Sequence, residues 1–287
     1  MSKPLAGVVA VVTGASRGAG KGIAIALGRE GATVYVTGRT LKEGDAPLPG
    51  TVAGTADEVS KAGGKGIAVA CDHSKDAEVK ALFDRVAHEQ GKLDILVNNA
   101  TFLHDELINK GGFWEKPLEL VDILDVGLRS GYVASWYAAP LMVKQKDGLI
   151  AFTSSFGSSC YMHGPGYGAQ KTGVDKFAKD MAVDFRAHNV AAVSIWMGML
   201  RTDRTRRAMD RAAEQYAGFW EIAETPEFTG HIISAIYRDP KRAEKSGQVI
   251  IGAEIASEYG ITDEGRQPPS HRPMLGSPQQ AHPAIVD

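Results

Sequence analysis

TGASRGAG, Thr13–Gly20, follows the apolar run Val8–Val12 and opens GKGIAIALGREG, a segment whose apolar residues recur with helical spacing. A strand that turns into a helix through Gly14, Gly18 and Gly20 gathers backbone N–H groups and the positive end of a helix dipole at one point, which suits a phosphate. The spacing Gly-x-x-x-Gly-x-Gly differs from the commoner Gly-x-Gly-x-x-Gly, so by itself the stretch fits a plain tight turn as well as a dinucleotide site. Its surroundings decide. Short Val/Ile/Ala runs alternate with longer amphipathic stretches: TVYVTGR then TADEVSKAG, GIAVACD then DAEVKALFDRVAHEQG, LDILVNNA and onward in the same rhythm. That alternation predicts repeated βαβ units and one doubly wound α/β domain with a seven-stranded parallel sheet flanked by helices. Later strands are expected at GLIAFTSS, AAVSIWMG and GQVIIGA, and helices near Leu118–Lys144, Gly166–Arg186 and Arg201–Ala217.

Composition narrows the partners. With 287 residues and 44% hydrophobic content the chain can fill a large core, and 32 basic against 34 acidic residues leave a net charge of −2. No overall field then recruits nucleic acid or an anionic membrane. Two cysteines, Cys71 and Cys160, lack neighbours at ligand spacing, so neither a disulfide framework nor a metal site is expected, and a reducing, cytoplasmic setting is the simpler reading. No window reaches the roughly 18 apolar residues of a membrane span. Residues 1–260 read as one domain; after them five prolines fall between Thr262 and Asp287, and residues 261–287 read as an extended Pro-rich arm.

Cofactor preference is written at the end of the second strand, where an acid would bind the ribose 2′-OH of NAD and an Arg the 2′-phosphate of NADP. Here Gly38 holds the acid position, Arg39 follows it, and Arg17 stands beside Ser16 inside the glycine turn. Two cations and no carboxylate favour NADP(H), against the alternative of two ordinary surface arginines.

Chemistry-bearing side chains gather in SSFGSSCYMHGPGYGAQKTG. Tyr167 and Lys171, four apart, share a helix face on adjacent turns. A tyrosine hydroxyl titrates near ~10, and a neighbouring ammonium favours its ionised form at lower pH. Ser154 and Ser155 end a strand with hydroxyls suited to hold a substrate oxygen. Phe152, Trp136 and Trp196 are expected in the core, Trp114 and Tyr161 along a pocket wall.

TGASRGAG, Asp72 after the third strand, NNA at Asn98–Ala100, the serine pair before Tyr167 and Lys171, and MGMLRT together resemble, in order, the short-chain dehydrogenase/reductase (SDR) family over about residues 5–260. The resemblance implies a Rossmann fold and an NADPH-dependent oxidoreductase that transfers hydride to a ketone or aldehyde, reversibly. Tyr167 would be the general acid, Lys171 would lower its pKa and bind the nicotinamide ribose, and Ser155, in preference to Ser154, would orient the substrate. Asp72 would contact the adenine amino group, with a turn acid near Ser74 as the alternative. Asn99 would support the cofactor loop, Gly198, Leu200 and Thr202 would embrace the carboxamide, and residues 199–228 would form a substrate lid. A homo-oligomer, dimer or tetramer, packed through the helices near Leu118–Lys144 and Gly166–Arg186, is implied as well.

Three positions depart from that pattern. Met197 replaces the proline before Gly198, Thr101 replaces the usual glycine after Asn98–Ala100, and Gly127 stands where the family carries a proton-relay asparagine. The missing asparagine keeps a second function open, an NADP-binding but catalytically idle sensor or assembly protein. Space freed at Gly127 is expected to admit a relay water bound to backbone carbonyls, and Gly127→Asn to leave activity unchanged or raise it. The arginines Arg201, Arg204, Arg206, Arg207 and Arg211 crowd the lid and read as a solvated mixed-charge helix or, alternatively, as a means of attracting an anionic substrate.

Overall fold

The structure, a computed structural model, describes residues 3–211 and 218–286. Seven strands, β1 (Val9–Val12), β2 (Thr33–Gly38), β3 (Lys65–Ala70), β4 (Ile95–Asn98), β5 (Gly148–Ser154), β6 (Val190–Trp196) and β7 (Val249–Ile251), form one sheet in the order 3-2-1-4-5-6-7. Every pairing is parallel. The chain turns from one half of the sheet to the other between β1 and β4, the place where doubly wound folds open a crevice at the carboxyl ends of their strands.

Alternation along each strand builds two cores. Ala10, Val12, Val34, Val36, Val97, Ala151 and Val193 point to one face and meet the helices α1 (Gly18–Arg29) and α2 (Val52–Lys61). Val9, Val11, Tyr35, Leu96, Ile150 and Ala192 point to the other and meet α3 (Asp76–Gln90), α4 (Ser130–Gln145) and α5 (Pro165–Asp184). Both faces are covered, so the strands read as near-continuous apolar runs. Phe152 and Trp196 are fully buried as expected, whereas Trp136 is 61% exposed on α4. An apolar residue type placed it inside; its position on the face of α4 turned away from the sheet places it outside.

The expected single helix over Leu118–Lys144 is broken. A short turn at Leu118–Val121 leads into a widened turn, Leu124–Arg129, where Val126 and Gly127 leave helical geometry, Gly127 at φ 148° and ψ −38°. Only beyond it does α4 run regularly. The lid helix α6 covers Asp203–Arg211; the rest of the helix expected to Ala217, residues 212–217, lies outside the described residues. Between α6 and β7 lie α7 (Phe219–Ile222), α8 (Phe228–Arg238) and α9 (Arg242–Lys245), and α10 (Gly252–Glu258) follows that strand. The sequence reading left them out, although Phe228, Ile232, Ile233 and Ile236, all fully buried, carry α8's helical period.

The Pro-rich segment is tied down. Asp263 accepts hydrogen bonds from Thr225 N (2.7 Å) and Oγ1 (2.5 Å), Arg266 donates to the carbonyls of Glu221 and Ala223, and Arg272 pairs with Glu254 at 2.6 Å. It even holds a one-turn helix, α11 (Arg272–Leu275), with Pro273 in its first turn, where no N–H is missed.

Candidate active site at the carboxyl ends of the strands

Gly14 and Gly18 adopt positive φ, 63° and 57°. A Cβ on Gly14 would lie 2.6 Å from Ala100 Cα, and one on Gly20 would lie 2.5 Å from Asn99 Nδ2. Glycine at these positions therefore lets the first turn press against the loop after β4. That loop is pinned in return: Asn99 N and Ala100 N donate to Thr13 Oγ1, both at 2.9 Å, and Asn99 Nδ2 donates to the carbonyls of Thr13 and Gly14. No side chain caps the N-terminus of α1. Its first N–H groups are therefore left without a side-chain acceptor, and Ser16 in the same turn is buried. Across the crevice Thr202 Cγ2 lies 3.9 Å from the position of a Cβ on Gly18.

The two expected cations differ in freedom. Arg17 is engaged by the loop after β2, donating to Pro49 O (3.0 Å), Gly50 O (2.7 Å) and Thr40 Oγ1 (3.0 Å). Burial, then the charge of Arg204, lowers its pKa. Arg39 is exposed at the end of β2. Asp72 accepts from Ser74 N (3.1 Å) and Oγ (2.8 Å). Burial pushes its carboxyl up, yet the Ser74 bonds carry it below its ordinary value. One oxygen of its carboxylate, Oδ1, closes the turn to Ser74.

At the end of β5 the two serines part. Ser154 is fully buried and donates to Lys171 O at 3.4 Å, whereas Ser155 Oγ lies 2.9 Å from Tyr167 OH. Room for the Tyr167 ring comes from Gly157, where a Cβ would lie 2.5 Å from Tyr167 Cε1. Lys171, only 6% exposed, donates to Thr153 O at 3.3 Å and stands 5.4 Å from the centroid of the Tyr167 ring. Burial lowers its pKa to about 8, with the Asp175 charge opposing. For Tyr167, burial pushes the hydroxyl up and the Ser155 bond pulls it down, leaving it above its usual value.

Asp175 follows Lys171 by one helical turn and accepts from Ser194 Oγ (2.5 Å) and Trp196 Nε1 (2.9 Å). Its place at i+4 from the lysine is a signal that the sequence reading passed over. His163, at φ 60°, packs edge-on against Tyr167 with ring centroids 5.0 Å apart. Burial, then the Lys116 charge, pushes its pKa down, which favours a neutral imidazole in the wall. Trp114 and Tyr161 are 75% and 82% exposed. Among the described residues no group of three or more His, Cys, Asp or Glu is placed to hold a metal ion.

After β6, Met197 N donates to Ser154 O at 3.1 Å, a bond that a proline could not make. Gly198 N donates to Glu224 Oε2 at 3.1 Å, and Glu224 N and O bond to Met199 and Arg201, so Gly198, Leu200 and Thr202 are braced by the far side of the lid. Glu224 is only 2% exposed, and nothing in the sequence marks it. Arg204, Arg207 and Arg211 converge on Asp105 at 3.4, 3.5 and 4.0 Å, Arg201 pairs with Glu264 at 2.7 Å, and Arg206 lies 4.4 Å over the Trp220 ring. These partners support the mixed-charge reading of the helix.

Comparison with known proteins shows which family the chain belongs to. Residues 8–213 match the family described as short chain dehydrogenase. Dehydrogenase/reductase SDR family member 1 of Homo sapiens is 40% identical over 279 residues, 93% of this chain and 87% of that protein. Hydroxysteroid dehydrogenase-like protein 2 of Danio rerio is 29% identical over 266 residues, 90% of this chain and 60% of that protein. The fold superposes on a solved structure from Xanthomonas campestris with a TM-score of 0.76 at 26% identity, covering 91% of this chain and 92% of that one. The chain belongs to the short-chain dehydrogenase/reductase family of oxidoreductases.

Proposed function

We propose that the protein is an NADP(H)-dependent reductase of ketones or aldehydes, working reversibly as an alcohol dehydrogenase. The observation that carries this reading is the 2.9 Å contact between Ser155 Oγ and Tyr167 OH with Lys171 one turn further along α5. A carbonyl oxygen received by these two hydroxyls lies where Tyr167 can give it a proton. The bound nicotinamide supplies the hydride. The crevice fits that group: the uncapped end of α1 offers N–H groups to a diphosphate, Arg39 is free for a 2′-phosphate, and Leu200 and Thr202 stand at the nicotinamide end. Lys171, buried beside Tyr167, would hold the adjacent ribose and carry the positive charge that favours proton loss from the hydroxyl.

The reading is tested by titrating the protein with NADPH and NADH and then following loss of reduced-cofactor absorbance with a panel of ketones, aldehydes and quinones. Tighter binding of NADPH, weakened by Arg39→Ala, together with turnover on some member of the panel, is expected. Equal affinities would remove the NADP preference, and cofactor binding without any turnover would favour the idle alternative. A homo-oligomer belongs to the same proposal, supported by Tyr132 and Trp136, which α4 leaves 50% and 61% exposed.

A further inference from the structure

The helix that carries Tyr167 buries two opposite charges one turn apart. Lys171 is 6% exposed and Asp175 8% exposed, and both reach from α5 to the strands beneath it. A charge taken out of water is costly unless hydrogen bonds or an opposite charge replace its hydration. Lys171 finds little of the first, since its ammonium donates to one carbonyl, Thr153 O, at 3.3 Å. Asp175 is far better supplied. Its carboxylate accepts from Ser194 Oγ at 2.5 Å and from Trp196 Nε1 at 2.9 Å, and the hydroxyls of Ser158 and Ser154 also bond to it. Ser194 and Trp196 belong to β6 and are fully buried. Burial pushes the Asp175 carboxyl up, and these four bonds pull it back toward the ionised form. Every one of the four donors is neutral. The carboxylate is thus fixed in place with its charge left to act on a neighbour, and on a helix the side chain at i+4 lies over the turn of residue i, which here is Lys171.

We propose that Asp175 is a positioning residue of the active site: clamped by Ser194 and Trp196 of β6, its carboxylate is the fixed counter-charge of the buried Lys171 ammonium. The neighbouring strand ends hold both charges. Trp196 pairs in register with Ser154, the residue after Thr153, and Ser154 Oγ donates to Lys171 O at 3.4 Å. Moving either charge along α5 therefore breaks a bond to β5 or to β6. Tyr167, its ring centroid 5.4 Å from the ammonium, is the other titratable group that faces the lysine from α5, with His163 and Cys160 beside that tyrosine. From β5 and β6 come only the neutral Thr153, Ser154, Ser194 and Trp196. The inference rests on the reductase reading only in giving Lys171 a task, and its test needs no substrate.

Lysine side chains labelled with ¹³C at Cε are titrated by NMR between pH 6 and 10, and Lys171→Met assigns the resonance that titrates low. Asp175→Asn keeps the size of the side chain and an oxygen for one of the β6 donors, and removes the charge. It is expected to lower the Lys171 midpoint by about one pH unit, because burial then acts on the ammonium unopposed. Asp175→Ser removes the same charge and serves where the Asn variant does not fold. Ser194→Ala takes away one clamp and leaves the charge, so it is expected to lower the melting temperature while moving the midpoint by less than ~0.3. A midpoint unmoved in a folded variant without the charge would overturn the proposal. An equal fall in Ser194→Ala would overturn it too, since loosened packing would then account for the whole shift. Loss of the reductase reading would appear elsewhere, as full turnover by Tyr167→Phe with the midpoint shift of Asp175→Asn intact.

Discussion

Substituting Glu224 by Gln isolates one buried carboxyl and makes the lid's grip on the cofactor crevice measurable. Burial raises the Glu224 pKa from 4.5 to about 8, with the Gly198 N–H pulling it down and the Asp263 charge pushing it up. At 1.36 kcal/mol per pH unit the interval corresponds to roughly 5 kcal/mol between the protonated and ionised forms of the folded chain. The folded protein binds this proton more tightly than the unfolded one. The contribution to stability is therefore complete below pH 4.5, falls by about 1.4 kcal/mol per pH unit above it, and is gone once the pH passes about 8. Glutamine keeps an oxygen for the Gly198 N–H and has no proton to lose. Urea unfolding of both proteins from pH 5 to pH 7.5 is the assay, and the difference between them cancels every other titrating group. Glu224→Gln is expected to gain about 3 kcal/mol on the wild type across that range. Two stability curves that stay parallel within ~0.5 kcal/mol would refute the argument and put an ordinary, solvated carboxylate at this position.

Other expectations follow from single contacts. Tyr167→Phe should keep NADPH affinity within a few fold and lower kcat/KM by about 100-fold or more, as loss of a general acid does. Gly157→Ala, whose Cβ would fall 2.5 Å from Tyr167 Cε1, should displace that ring and reduce turnover while fluorescence titration still finds the cofactor bound. Gly127→Asn should lower stability by about 1–3 kcal/mol in thermal unfolding, because φ is 148° there and Thr101 Oγ1 stands 3.0 Å from the new Cβ. Light scattering should find a dimer or tetramer, and Trp136→Glu with Tyr132→Glu should reduce it to monomers that keep their secondary structure by circular dichroism.

Much of the fold was legible because its signals are local. The alternation of apolar runs with helical periods sets the strands, and the glycines of the first turn mark β1, α1 and the crevice in one stretch. Ser155, Tyr167 and Lys171 come together because a strand end and one helix face bring them there, both readable from spacing. What stayed hidden depends on partners distant in sequence. Trp136 has a core residue's chemistry and an outward position, which only the packing of α4 decides. Glu224 meets Gly198 across 26 residues and Gln170 meets Gly127 across 43, contacts that no period encodes. At Asp72 the local signal and the structure agree on a turn, since Oδ1 accepts from Ser74 two residues away.

The departures from the family pattern gain meaning when each is followed to what occupies the same space. Where proline is replaced, Met197 uses its N–H to lengthen the β5–β6 pairing by one bond at Ser154 O, and Glu224 fastens the next residue, Gly198. Where asparagine is replaced, Gln170 and Thr101 enter from α5 and from the loop after β4. In both places backbone geometry beside the crevice is held by a side chain from another segment, and at the lid end that segment is itself held by the C-terminal arm through Asp263 and Arg266. Rigidity at a site of this kind comes from the number of independent segments that converge on it, since each closes a loop and restricts the others. At position 127 the turn is held by Gln170, whose Nε2 donates to Gly127 O, with Thr101 against the same glycine, so the missing asparagine leaves no gap in the packing there.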